Sequence, residues 1–419
     1  MDKRCKVLWL SHMVPYPPKG GVLQRSYHLI KEVAKYHDVY LVAFKQGALL
    51  KTHFSSVDKG LDASSEHLEQ FCKEVVYLDI PSEVQRYGRY RLALKGLFSS
   101  LGYTNNWLLS KENSTFIESY AKKEKFDLVH YDTISLVPFK KVIPNLPCIL
   151  DHHNIESQMM LRRSDMEGNF LAKLYCMQEG LKLRRFERKY CNYFSSNITC
   201  SDMDSERLKE IVPNARMDII PNGVDISVFK PLPREPVIAG KINFIFAGRL
   251  SAYTNARAAK DLVFNIWPHV KARFPECRLF LVGSGPSEEI LVAGEQDPQL
   301  EVTGYVDDVI PYLQKADVYL CPITDGGGTK LKVLDALAMG IPLIADSIAC
   351  EGIAVEEGKT VLFAHTPEEY CNSIDMLRQN SELVSELQEG GPDLVNAQYT
   401  YHSIGRNLAG LMDELTNLS

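Results

Sequence analysis

The segment from Asp325 to Ala345, DGGGTKLKVLDALAMGIPLIA, sets three consecutive glycines between a run that reads as a strand and a run of good helix formers. Thr329 stands where it can cap the helix, Lys330 to Met339 supply its body and Gly340 stops it. A strand, a glycine-rich turn and a helix start aim backbone N–H groups and the positive end of a helix dipole at one point, where a phosphate can rest. Side chains at Gly327 or Gly328 would hold that phosphate away from the backbone. One helical turn separates Lys332 from Asp335, so this carboxylate can face the same ligand as Gly328 and accept hydrogen bonds from ribose hydroxyls. Taken alone, the segment reads equally well as a flexible loop before a structural helix.

The neighbouring segments separate those readings. In order, Phe246 to Leu250 (FAGRL), Leu279 to Pro286 (LFLVGSGP), Val302 to Val306 (VTGYV), Ala316 to Pro322 (ADVYLCP) and the glycine segment resemble the successive donor-site signatures of glycosyltransferase family 4, retaining sugar transferases of the GT-B fold. Ile219 to Asp225 (IIPNGVD) resembles the family's stretch leading out of its first domain. Pro15 to Gly21 (PYPPKGG) and Asp151 to Glu156 (DHHNIE) resemble its amino-terminal loop and its histidine loop. The resemblance spans nearly the whole chain, with specific motifs in the second half and looser ones in the first; residues 45–125 match none of them.

This resemblance implies a role for each matching residue. Arg249 falls on the donor pyrophosphate, where a forked, permanently charged guanidinium suits phosphate oxygens, and it doubles as a catalytic group. The family commonly places a lysine five residues later, but here that position is Thr254, so Lys330 or Lys332 is left to supply the second cation. Two family glutamates, seven residues apart, align with Gly327 and Asp335; Asp335 keeps the ribose contact, and backbone amides or another side chain replace the first glutamate's hold on the sugar. Val306, next to Tyr305, falls on the turn that meets the base through backbone groups. In the first half, Gly20 and Gly21 can bring backbone close to the donor. His153 is the counterpart of the family histidine that touches the transferring sugar, with His152 as its rival.

The elements needed to position these groups are those of an α/β protein. Short apolar runs alternate with longer periodic segments throughout the 419 residues, as when parallel strands cross over to helices. Strands are expected at Lys6 to Ser11, Val39 to Phe44, Leu128 to Tyr131, Cys148 to Asp151 and Ser196 to Cys200. The series restarts at Ile242 to Ala247 and continues through Leu279 to Val282, Leu300 to Thr303, Val318 to Cys321, Pro342 to Ala345 and Val361 to Phe363. Two Rossmann-like domains follow from this pattern, 1–220 and 242–400, joined by a proline-rich linker at 221–241; the resemblance implies that the first lies on the acceptor side and the second on the donor side. As the GT-B resemblance implies, the parallel sheets face each other across a cleft and a final helix, 401–419, crosses back to the first domain.

Composition narrows the function class. A formal charge of −6 argues against broad nucleic-acid affinity, which needs a basic surface to displace phosphate counterions. The ten cysteines lie far apart without a C-x-x-C pair and read as reduced, buried thiols. The apolar stretch at Val7 to Leu10 is too short for a signal-peptide core or a membrane span, so a cytoplasmic location is expected, with docking at the inner face of the membrane as one option. For that option, Arg86 to Leu97 and Lys182 to Lys189 combine helical potential with cationic faces that suit an anionic membrane or a lipid-linked acceptor; an ordinary solvated helix face gives the same pattern. The donor-like segments hold no D-x-D, and Asp202-Met-Asp204 reads as a helix start, so neither a metal nor a cofactor is expected.

The function expected is transfer of a sugar from a nucleotide-diphosphate sugar to a hydroxyl of a glycan, lipid-linked or small-molecule acceptor, with retention implied by the resemblance alone. A noncatalytic nucleotide-sugar-binding partner subunit is the alternative, motivated by Gly327 in a glutamate's place. A dinucleotide oxidoreductase fits less well, because Gly283-Ser-Gly-Pro286 lacks the third glycine of G-x-G-x-x-G. A phosphorylase would share the architecture but needs a cofactor lysine.

Overall fold

A computed structural model describes residues 4–84, 87–143, 145–231, 241–325 and 328–417. The chain divides into two compact units, Met1–Pro221 with Tyr401–Ser419, and Asn222–Thr400. Residues 232–240 of the expected linker lie outside the described residues.

The first unit is built on a seven-stranded, wholly parallel sheet: β1 (Lys6–Ser11), β2 (Asp38–Lys45), β3 (Glu74–Asp79), β4 (Leu128–Tyr131), β5 (Cys148–His152), β6 (Ser196–Thr199) and β7 (Met217–Ile219), in the order β3-β2-β1-β4-β5-β6-β7. Leu10 pairs with Val42 on one side and Tyr131 on the other, which fixes the central register. The central strands are buried on both faces, as helix-covered parallel strands must be, and so read as continuous apolar runs. The edge strands β3 and β7 are half-exposed and shorter in apolar content, which is why apolar patterning missed them.

The second unit repeats the plan with six parallel strands: β8 (Asn243–Ala247), β9 (Arg278–Val282), β10 (Leu300–Gly304), β11 (Val318–Cys321), β12 (Leu343–Ala345) and β13 (Leu362–Phe363), ordered β10-β9-β8-β11-β12-β13. In each sheet the strand order reverses beside its first strand, between β1 and β4 and between β8 and β11. Chain connections leave in opposite directions at such a point and open a crevice at the carboxyl ends of the strands, where open α/β sheets take their ligands.

The carboxy-terminal helix Tyr401–Asn417 belongs to the first unit. It buries Ile404, Leu408, Met412 and Leu415 in the core that contains Trp9 and Leu29. It approaches α1 (Gly21–Val33) so closely that a Cβ added at Gly405 would lie 2.2 Å from Glu32 Cβ. His402 Nδ1 sits 3.1 Å from Glu32 Oε2, and His28 stacks on Tyr401 at 4.4 Å. All ten cysteines are buried and unpaired.

Candidate functional site

In the second unit three turns converge at the β8/β11 reversal. After β8, Gly248 takes φ +151°, and after β9, Gly283 takes φ +143°. The two backbones touch: a Cβ on Gly283 would lie 1.8 Å from the Gly248 carbonyl oxygen, so no side chain is possible there. Gly248 N donates to Val282 O at 2.9 Å and Leu250 N to Ser284 O at 2.8 Å, locking the two turns together. Tyr319 of β11 ties the same level, donating through Oη to Ala247 O at 3.1 Å.

The third contributor is the helix Leu331–Ala338 that follows the glycine segment. Here the sequence expectation needs correction. Thr329 does not cap this helix, which begins at Leu331; the extended Lys330 is the N-cap, and its side chain makes no capping hydrogen bond. Thr329 is instead buried. An uncapped first turn leaves its N–H groups for another acceptor. Lys330 Nζ folds back onto Gly328 O at 3.0 Å, whereas Lys332 reaches across to β8. A Cβ on Gly248 would lie 3.1 Å from Lys332 Cε and Nζ. The Lys332 ammonium lies 5.2 Å over the Phe246 ring and hydrogen-bonds Asn255 Oδ1, while Asn255 Nδ2 donates to Arg249 O at 2.9 Å. Asn255, which no motif singled out, therefore joins the Arg249 turn to Lys332. Arg249 is exposed, and its guanidinium makes no ion pair among the described residues.

The charges here are held against their ordinary behaviour. Burial lowers Lys332 to about 8, with neighbouring Lys330 adding to the effect against Cys321 and Asp335. Burial raises Asp335 to about 8, opposed by Lys332. A half-buried ammonium beside an uncapped helix start offers positive charge to an anion. Tyr305 and Val306 follow Gly304 at the end of β10; Tyr305 is exposed and Val306 half-buried against the core. Gly327 lies outside the described residues.

The first unit gathers a second cluster at its own reversal. Asp132, just after β4, is buried and accepts from Ser11 Oγ at 3.0 Å and from Ser26 Oγ at 3.0 Å. His153 Nε2 lies 3.3 Å from its Oδ1 and His12 Nδ1 3.4 Å from its Oδ2. Burial pulls His153 down, but the Asp132 and Asp151 carboxylates outweigh it and raise the imidazole above its usual range. Burial would raise Asp132; the two imidazoles instead hold it well below the carboxylate range. The rival histidine, His152, ends β5, is buried and meets Asn197 Oδ1 at 3.2 Å, and burial takes it down to about 4. Sequence reading missed Asp132, a lone carboxylate after a four-residue strand.

Asp132, Asp151 and His153 also offer ligand atoms within 4.8 Å of one another. Asp151, however, is engaged by Arg25 in a two-pronged buried pair, both contacts 3.1 Å, and Asp132 by hydroxyls, so these carboxylates already have partners. Gly20 precedes α1 with φ +99° and has no side chain to cap it, so the Gly21 end of α1 is likewise open. Asp202 starts the helix Asp202–Ile211, with Ser201 as its cap.

Several known proteins are similar to this chain in sequence or fold. Residues 19–228 match the model described as Glycosyltransferase Family 4, and residues 241–380 match that of Glycosyl transferases group 1. A phosphatidyl-myo-inositol mannosyltransferase of Mycolicibacterium smegmatis is 29% identical over 208 residues, 46% of this chain and 52% of that protein, so the match spans about half the relative's length. An uncharacterized 44.6 kDa protein in the cps region of Klebsiella pneumoniae is 22% identical over 405 residues, 94% of this chain and 96% of its own. Among solved structures, sucrose-phosphate synthase from Thermosynechococcus elongatus superposes with a TM-score of 0.69 at 16% identity, over 99% of this chain and 100% of that one. Anabaena HepE in complex with UDP and glucose does so with 0.65 at 15%, over 98% and 100%. These likenesses agree on fold with the two parallel sheets, and the family model spans 19–228: the chain belongs to glycosyltransferase family 4.

Proposed function

We propose that the chain transfers a sugar from a nucleotide-diphosphate sugar to an acceptor hydroxyl, with the Asn222–Thr400 unit holding the donor. The observation that carries this reading is the meeting of the Gly248 turn, the Gly283 turn and the Lys332 ammonium at an uncapped helix start. Amides of Gly328 and Thr329, with Lys330 and Lys332, take the diphosphate; Arg249, exposed and without an ion pair among the described residues, closes on its outer oxygens. Asp335 takes the ribose and the backbone at Val306 the base. As the glycosyl bond breaks, negative charge grows on the leaving diphosphate, and cations already in place stabilise it without reorganising.

From the first unit, Gly20 and Gly21 present the open end of α1, and His153, held by Asp132, acts on the sugar. Retention follows the family pattern: the departing phosphate oxygen accepts the acceptor's proton on the face it leaves. UDP, bound by HepE, is the first nucleotide to try, and the mannosyltransferase likeness favours a lipid-linked or glycan acceptor.

Titration calorimetry with nucleoside diphosphates, followed by turnover of nucleotide-sugars, tests the reading. Binding with turnover supports it; binding without turnover over a broad acceptor panel would turn it into the partner-subunit reading. Arg249→Ala and Asp335→Ala should each lower transfer by about a hundredfold with unchanged circular dichroism. Wild-type rates in both would remove the donor site from this position. Because the cationic groups supply the charge that a divalent ion would otherwise supply, transfer should continue in EDTA; a full loss restored by magnesium or manganese would contradict this.

A further inference from the structure

Two helices of the first unit carry apolar stripes with no core to enter. In Gly88–Phe98 the exposed residues Tyr90, Leu94, Leu97 and Phe98 fall at i, i+4, i+7 and i+8, one face of a helix, and Phe98 is 86% exposed. In Phe170–Tyr190 the exposed stripe is Phe170, Leu174, Met177 and Leu181, flanked by Leu171 at 74% exposure. The opposite face of that helix, with Cys176, Leu183 and Phe186, is the one buried. Gln178 Nε2 donates to Leu97 O at 2.9 Å and Lys182 Nζ to Gly96 O at 2.6 Å, joining the two helices.

The charge on this pair has one sign. Arg91, Lys95, Lys173, Arg185, Arg188 and Lys189 are exposed, and Gly88–Phe98 contains no acidic residue. Phe170–Tyr190 contains two, both buried and engaged: Glu179 accepts from Tyr103 N and Thr104 N at 3.0 Å each, and Glu187 from Ser157 N at 3.1 Å. In a chain of net charge −6 this is a local cationic face with apolar side chains among its charges.

We propose that this helix pair docks the protein on an anionic lipid bilayer, with the aromatic and leucine side chains entering the interface and the cations meeting lipid phosphates. A nucleic acid would use the cations but leave the apolar stripes exposed. A second copy of the chain would set two cationic faces against each other. No helix among the described residues is long and apolar enough to cross a membrane, so the contact is with the surface.

Sedimentation of the full chain with vesicles tests this independently of sugar transfer. With phosphatidylcholine containing about one third phosphatidylglycerol, partitioning should exceed that with phosphatidylcholine alone by about tenfold and fall with added salt. The exposed triple variant Phe98→Ser, Phe170→Ser, Leu171→Ser should lose about tenfold or more, and Arg185→Gln, Arg188→Gln, Lys189→Gln should lose the preference for anionic lipid. Nucleotide binding by each variant verifies that it is folded. Wild-type protein left in the supernatant, variants that partition like wild type, or a self-association dissolved by the triple serine variant without any vesicle binding would each overturn the proposal.

Discussion

Lys332→Met should lower kcat/KM for the donor by about a hundredfold to a thousandfold while leaving the protein as stable as before or more so. Methionine keeps the apolar stem over Phe246 but removes the ammonium beside Gly248. In the folded chain Lys332 titrates at about 8 instead of 10.5, so folding disfavours its proton, and this penalty is fully present below 8 and relieved as pH rises from 8 to 10.5. Removing the charge removes the penalty, and the unfolding midpoint at pH 7 should stay level or rise by about 2 °C. A residue kept at a cost to stability and lost at a cost to transfer is placed for its ligand. In the wild type, donor affinity should fall as pH rises through about 8, where the free ammonium gives up its proton, and Lys332→Met should flatten that limb. Asn255→Ala should lose less, about tenfold, because the ammonium remains but is no longer tethered. Calorimetry against pH and a melting curve for each variant decide it; a Lys332→Met protein that binds donor normally and melts early would make Lys332 structural.

Asp132→Asn should destabilise the first unit by about 3 kcal/mol, lowering its unfolding midpoint by about 6 °C at pH 6, and should depress transfer as well. The buried carboxylate serves two imidazoles and two hydroxyls at once. His153 titrates above 6.5 in the folded state, so its share of stability is complete below 6.5 and is lost as pH rises through the folded value. Asp132 titrates well below 3.8, so its share is present above 3.8 and is lost as pH falls through the folded value. Both act together between 3.8 and 6.5, and there the variant's deficit should be greatest. As pH rises through the folded value of His153, above 6.5, the deficit should shrink toward the hydroxyl contacts alone. Melting curves at pH 5.5, 7 and 8.5 read this directly. A deficit that grows with pH would show that His153 does not depend on Asp132 for its charge.

Much of the second unit could be read before any fold was known, because its signals are local. A glycine at Gly248 or Gly283 stands in the chain for the backbone approach it permits, and buried parallel strands such as β8 and β11 must be apolar along their length. Residues 45–125 gave no motif, and there the edge strand β3 and the Gly88–Phe98 helix are held by few local rules. The Thr329 cap was misplaced for a related reason: a threonine after glycines suits an N-cap, but the chain stays extended through Lys330 and buries Thr329 instead.

The sequence by itself determines a two-sheet α/β chain, its family, and the Arg249, glycine-segment and His153 loops, since each rests on residue types within a few positions of one another. Tertiary structure alone decides that Lys332, rather than Lys330, reaches β8, that Asn255 bridges it to Arg249, and that Asp132 lies between His12 and His153. Apart from the Asn255–Arg249 bond, those contacts join residues from about 20 to 120 positions apart, and no local pattern encodes which partner a charge will meet. The stripes of Gly88–Phe98 and Phe170–Tyr190 follow the same logic: helical periodicity marks an apolar face, but only the packed chain decides whether that face meets a core or is left for something outside.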